Sequence, residues 1–142
     1  FSFVPRDASG LPIANRVQAG KRPRSSMSPT LVLDRASGQL VLSGGSPGGA
    51  LIIHYTAKTL YGTLNWGLNA QQAVNLPNFG STNGPTLLEA QRFPSTTIQA
   101  LTAMGHAVRE IDMPSGLQAI QKTPSGWFGG SDPRREGVVL GD

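Results

Sequence analysis

Residues able to do chemistry cluster in two short stretches of this chain. In the first, GGSPGGALII (Gly44–Ile53), four glycines and a proline fill six positions and an apolar run follows at once. A chain reads this way where a strand ends in a backbone loop that opens a helix. Glycines there leave no Cβ in the way, so a ligand can approach the main-chain N–H groups. The first N–H groups of a helix have no internal partner, and the helix dipole favours negative charge at that end. Gly48 and Gly49 are therefore placed to stabilise an anion, including a transient oxyanion. A tight strand-to-helix turn with no ligand fits the same residues. In the second stretch, GKRPRSSMSPT (Gly20–Thr30), Ser25 and Ser26 each offer a hydroxyl that can donate to a carboxylate without adding charge. Adjacent serines after Pro23 also fit a solvated turn, and composition alone favours that reading.

Several elements must position these residues. TLVLD (Thr30–Asp34) and QLVLS (Gln39–Ser43) flank Arg35-Ala36-Ser37-Gly38 and predict a hairpin, with both strands apolar enough for burial on two faces. The second strand leads straight into GGSPGG. From Ala50 to about Tyr61, Leu51, Ile52, Tyr55, Thr59 and Leu60 recur at near-helical spacing, with Gly62 as a possible interruption. Asn69 reads as the N-cap of AQQAVN, which ends before Pro77. Asn78–Pro85 reads as a loop, and Thr86–Phe93 as a strand with Glu89 and Arg92 outward. Ser95 is expected to cap a helix over TTIQALTAM that Gly105 closes in the left-handed region. His106–Ile111 reads as a strand. Leu117–Gln121 and Trp127–Gly130 read as two more, joined by a turn over Lys122–Gly126. Residues 1–19 carry no period and read as an extended lead-in. Strands alternating with helices, with no repeat and no low-complexity tract, indicate an α+β layered domain.

The remaining polar residues give weaker signals. His54 sits on a helix between Ile53 and Tyr55, and His106 follows a helix-ending glycine. No nearby carboxylate orients either, so both read as satisfied or surface histidines. Asp112, Asp132 and Asp142 are scattered without metal-ligand spacing. Asp132-Pro133 reads as a turn, with Arg134 tethering the tail to the body. Trp127 and Phe128 read as core or subunit-contact residues.

The 142 residues fit one domain, and a complete domain of this size buries roughly 70% of its unfolded surface. Hydrophobic content of 38% is low beside 18 glycines and 11 prolines, which suggests a core completed partly by other polypeptide. The net charge of +4 arises largely from Lys21, Arg22 and Arg24 with Arg134 and Arg135. Aromatics make up only 6% and no RNA- or DNA-binding signature is present, which argues against a nucleic-acid partner. With no cysteine there is no disulfide framework and no thiolate metal site. No apolar run approaches the ~20 residues of a membrane span.

Taken together, KRP-R-SSMSPT, the hairpin, GGSPGG and the closing SDPRREGVVLGD (Ser131–Asp142) resemble the small subunit of gamma-glutamyltransferases. These are N-terminal-nucleophile hydrolases that cleave glutathione. The resemblance covers nearly the whole chain, in the right order and at about the right spacing. It implies an αββα sandwich, with residues 1–142 forming the C-terminal portion of a single small-subunit domain. It also implies that Ser25 and Ser26 bind the α-carboxylate of a γ-glutamyl group and that Gly48 and Gly49 form the oxyanion hole, with Met27 packed beneath. Arg24 departs from the family, many of whose members carry an apolar residue there. The family nucleophile is a threonine exposed by self-cleavage, whose free amine is the general base. Phe1-Ser2-Phe3 resembles residues that follow this threonine, so the nucleophile is expected upstream of Phe1. Thr30, Thr56 and Thr96 are internal and lack a free amine.

Further expectations follow from the same resemblance. The partners are the large subunit of one precursor and the preceding part of the small subunit, the ligand is a small γ-glutamyl compound, and no cofactor or metal is needed. Placement is periplasmic or extracellular, with the cytoplasm left open. Cephalosporin or glutaryl acylases share the scaffold, and these motifs do not separate the two activities. A non-catalytic binding or structural role is the remaining alternative.

Overall fold

The computed structural model describes residues 4–14, 16–22 and 27–141. Among these residues seven strands and three α-helices follow one another as β1 (Thr30–Leu33), β2 (Leu40–Gly45), α1 (Ile52–Asn65), α2 (Ala70–Asn75), β3 (Phe79–Gly80), β4 (Thr86–Glu89), α3 (Ser95–Ala103), β5 (Val108–Ile111), β6 (Gln118–Thr123) and β7 (Gly126–Ser131). A 3₁₀ turn, Gly49–Leu51, leads into α1. The fold class is α+β, as the sequence indicates.

Four strands form one sheet in the order β1-β2-β6-β7, with every neighbour antiparallel. A three-stranded sheet, β3-β4-β5, pairs β4 with β5 in parallel, and α3 makes the crossover. Helices α1 and α2 pack on each other, and α2 lies on β6 and β7. Tyr55, Ala70, Val74, Met113, Leu117 and Ala119 make the buried cluster between helices and sheet. Among the described residues the opposite face of the four-stranded sheet is open over β1, β2 and β6, while Val139 lies against Gly129 of β7. There the register aligns Leu31, Ser43 and Ile120, and Leu31 and Leu33 are 68% and 56% exposed. The expectation that both hairpin strands are buried on two faces therefore fails for β1, which lies at the sheet edge.

Other boundaries shift for local reasons. Gly62 does not interrupt α1. It is buried where a Cβ would sit 3.0 Å from the Cβ of Ala73, and so permits the close approach of α1 and α2. Asn69 caps α2 as expected, in a reciprocal capping box with Gln72. Ser95 is not a cap: Pro94 holds that position, no side chain caps the helix, and Ser95 is its first residue. The expected strand over Thr86–Phe93 stops at Glu89, and the strand expected from His106 starts at Val108. Gly105 closes α3 at φ +91°, as expected. Strands β6 and β7 extend further into their turn than expected, leaving only Pro124 and Ser125 between them. Trp127 is 55% exposed and Phe128 is also exposed, so neither belongs to the core of this chain.

Candidate functional site

The hairpin brings the two sequence stretches together. Thr30, at the end of the serine motif, pairs with Gly44, the first residue of the glycine loop. The backbones touch there, since a Cβ on Gly45 would lie 2.9 Å from the carbonyl oxygen of Ser28. Beside this contact an open groove of about 470 Å³ is bounded by Met27, Pro29, Ser43, Pro47, Gly116 and Ile120. Ser25 and Ser26 lie outside the described residues, while the segment that follows them lines the groove. Met27 stands at the rim, 79% exposed, and is not packed beneath the site.

The loop itself has an unusual backbone. Gly48 has φ +143° and Gly49 φ +62°, both in the region that L side chains rarely adopt. A Cβ on Gly48 would fall 2.5 Å from Cε2 of Tyr55, whereas the same position on Gly49 is open. Among the described residues, neither Gly48 N–H nor Gly49 N–H donates a hydrogen bond. Free backbone donors in a turn that opens a 14-residue helix are groups able to stabilise an anion.

Ser46 ties the loop to the far side of the groove. Its hydroxyl donates to the carbonyl oxygen of Pro47 at 2.7 Å and accepts from the N–H of Gly116 at 3.2 Å. Residues 114–117 are in turn held by the C-terminal motif. Asp132 accepts from the Ser115 hydroxyl and from Leu117 N–H, and Arg135 donates to Pro114 O at 2.9 and 3.1 Å.

Behind the loop lies a polar network that the sequence alone did not reveal. Glu89, expected outward, is buried and meets Arg134 at 2.6 Å. Asn78 is fully buried. It donates to Met113 O and Ser115 Oγ through its side chain, and its backbone N–H donates to Glu89. Lys58 is buried on α1 and donates to Val74 O, Leu76 O and Asn78 Oδ1 at 3.2, 2.7 and 2.8 Å. The Asp132-Pro133 segment is thus more than a turn, and Arg134 does tether the tail to the body. The DPRR string was the only sequence signal of this network, because its other members are scattered along the chain.

Burial alone would raise the pKa of Glu89 and Asp132. Hydrogen bonds from Arg134 and Asn78 N–H to Glu89, and from Ser115, Leu117 N–H and Arg134 to Asp132, outweigh it and hold both carboxyls below their ordinary range. Burial drives Lys58 down to about 7, with a smaller push from Arg134. Burial also raises Tyr55, and the Glu89 charge adds to that rise.

His54 is half-buried with its ring against Gly80, and His106 is exposed and shares a hydrogen bond with Thr86 Oγ1 at 3.0 Å. Neither meets the glycine loop. Among the described residues no three His, Cys, Asp or Glu side chains converge as a metal site, and no helix is long and apolar enough to cross a membrane.

The layered α+β fold is that of the N-terminal-nucleophile hydrolases, the class to which the structural neighbours belong. The chain is a member of the gamma-glutamyltranspeptidase family, whose model matches residues 2–142. It is 37% identical over 123 residues to the glutathione hydrolase proenzyme of Escherichia coli strain K12, covering 85% of this chain and 21% of that protein. It is 30% identical over 132 residues to the acylase ACY 1 proenzyme of Pseudomonas sp. strain SE83, covering 92% of this chain and 22% of that protein. A solved gamma-glutamyltranspeptidase variant from Helicobacter pylori superposes with a TM-score of 0.74 at 30% identity, covering 95% of this chain and 76% of that one. The chain thus spans about a fifth of the length of the curated relatives it matches.

Proposed function

We propose that this chain forms the substrate clamp and oxyanion hole of an enzyme that transfers or hydrolyses γ-glutamyl groups, glutathione among them. The observation that carries this reading is the pair of free N–H groups at Gly48 and Gly49, held at positive φ beside the groove. Ser25 and Ser26 hold the donor α-carboxylate. The nucleophile is a threonine in polypeptide outside residues 1–142, and its own α-amine takes the hydroxyl proton. Attack on the γ-carbonyl carbon puts negative charge on the carbonyl oxygen, where fixed donors act without reorganising. Collapse breaks the amide C–N bond, and the amine leaves with the proton. The resulting γ-glutamyl ester then passes to water or to an amine acceptor. The proenzyme names of the relatives support a partner large subunit cut from the same precursor.

A second reading, an acylase acting on donors without the α-amino acid head group, is favoured by the likeness to the Pseudomonas acylase. One experiment separates the two. The assembled, processed enzyme is assayed on γ-glutamyl-p-nitroanilide and on glutaryl-p-nitroanilide, which lacks the α-amino group and presents only a terminal carboxylate. Preference for the first supports the transferase, preference for the second the acylase. Turnover of neither excludes both.

A further inference from the structure

Tyr55 lies on α1 two turns after the glycine loop, and the mechanism above gives it no role. Its side chain is 1% exposed. One edge of the ring faces Gly48 so closely that a Cβ there would lie 2.5 Å from Cε2 and 3.0 Å from Cδ2. The rest of the ring belongs to the buried cluster with Ala70, Val74, Met113, Leu117 and Ala119. A rigid ring fixed on one side by a close-packed core leaves little freedom to the backbone on its other side. Ile52 also approaches that position, at 3.6 Å, and across the loop Ser46 holds Pro47 by hydrogen bonding.

We propose that Tyr55 is a positioning residue for the oxyanion hole: its ring wedges beneath Gly48 and fixes the φ +143° turn that leaves the Gly48 and Gly49 N–H groups free. This inference rests on the proposed function of that loop. A glycine pair with no such support samples many conformations, since glycine is the least restricted residue. Donors must sit within hydrogen-bond reach of the oxygen that becomes charged, and a displacement of about 1 Å can cost on the order of 10²-fold in rate. The ring supplies this restraint through its shape, so the phenolic oxygen is dispensable.

The test compares Tyr55→Leu, Tyr55→Phe and the parent in the assembled, processed enzyme, with γ-glutamyl-p-nitroanilide as donor. Binding of a γ-glutamyl boronic acid is measured alongside, because its tetrahedral adduct places an oxygen where the oxyanion forms. In Tyr55→Leu, kcat and boronic-acid affinity should fall together by about 10²-fold while KM for the donor stays within about threefold. Tyr55→Phe should restore both, because it keeps the ring. A Tyr55→Leu enzyme with parental kcat overturns the proposal, as does Tyr55→Phe losing as much as Tyr55→Leu, which would assign the work to the hydroxyl. A loss confined to KM also overturns it. If Tyr55→Leu does not fold, Tyr55→Met fills the space with a flexible chain and is held to the same outcomes. A parent enzyme that turns over no γ-glutamyl donor is a failure of the proposed function, distinct from failure of the wedge.

Discussion

Arg134 donates through Nε and Nη2 to the two carboxylate oxygens of Glu89, at 2.6 and 2.7 Å, so that the last motif of the chain is clamped to the end of β4. The same guanidinium reaches Val74 O and Leu76 O at the end of α2, and Asp132 Oδ1 beside it. One side chain thereby joins a helix end, a strand end and the loop behind the glycine turn.

Arg134→Ala should destabilise the protein by about 3–5 kcal/mol, because Glu89 would remain buried with its principal partner gone. Arg134→Lys should recover little of this, since an ammonium cannot reproduce the planar two-pronged contact. Denaturant unfolding of the assembled protein measures both. A loss below about 1 kcal/mol for Arg134→Ala would show the pair to be dispensable.

Acid should unfold the protein through the same network. Glu89 and Asp132 have folded-state pKa values below those of an unfolded chain, so over that window the unfolded state binds more protons. Their stabilisation is fully present above the unfolded values, about 4, and is lost as pH falls through the folded ones. Glu89→Gln should lower stability at neutral pH and flatten the decline below about pH 4. Equal acid slopes in parent and variant would remove Glu89 as a contributor.

Lys58 gives a dependence of the same sign in the alkaline range. Its folded pKa of about 7 lies below that of an unfolded lysine, so above neutrality the unfolded chain keeps a proton that the folded chain has shed. Stability from this group should therefore rise from about pH 7 toward about pH 10. The three acceptors around Nζ oppose the shift, because only the ammonium has three N–H donors. Lys58→Met should abolish the rise, and unfolding midpoints measured across that range decide the point.

Ser25→Ala combined with Ser26→Ala should weaken donors that carry an α-carboxylate by roughly 1.5–3 kcal/mol for each hydrogen bond lost. Donors without that group should change much less. Equal losses in kcat/KM for both donor types would make the serines structural.

A proline at Gly49 is not a usable way to delete its N–H. At φ +62° the ring cannot be accommodated, and any loss of rate would mix donor removal with loop distortion.

Local chemistry determined much of this protein from the sequence alone. The hairpin before the glycine loop, the helix after it, the Asn69 cap and the left-handed Gly105 each depend on a few adjacent residues, and each was legible. The family was legible for the same reason, since its motifs are contiguous strings. Only the tertiary structure decided what lies behind the loop. Glu89 reads as a surface charge until Arg134, 45 positions away, is brought against it. Lys58, Asn78, Ser115 and Asp132 carry no common spacing, yet they share one buried network because four separate segments converge there. Leu31 reads as buried in its strand and is exposed, because burial depends on what covers a sheet face and not on the strand itself. Nor could periodicity show that Gly48 must be glycine. That requirement comes from its φ of +143° and from the ring of Tyr55, placed beneath it by the packing of α1 on the core.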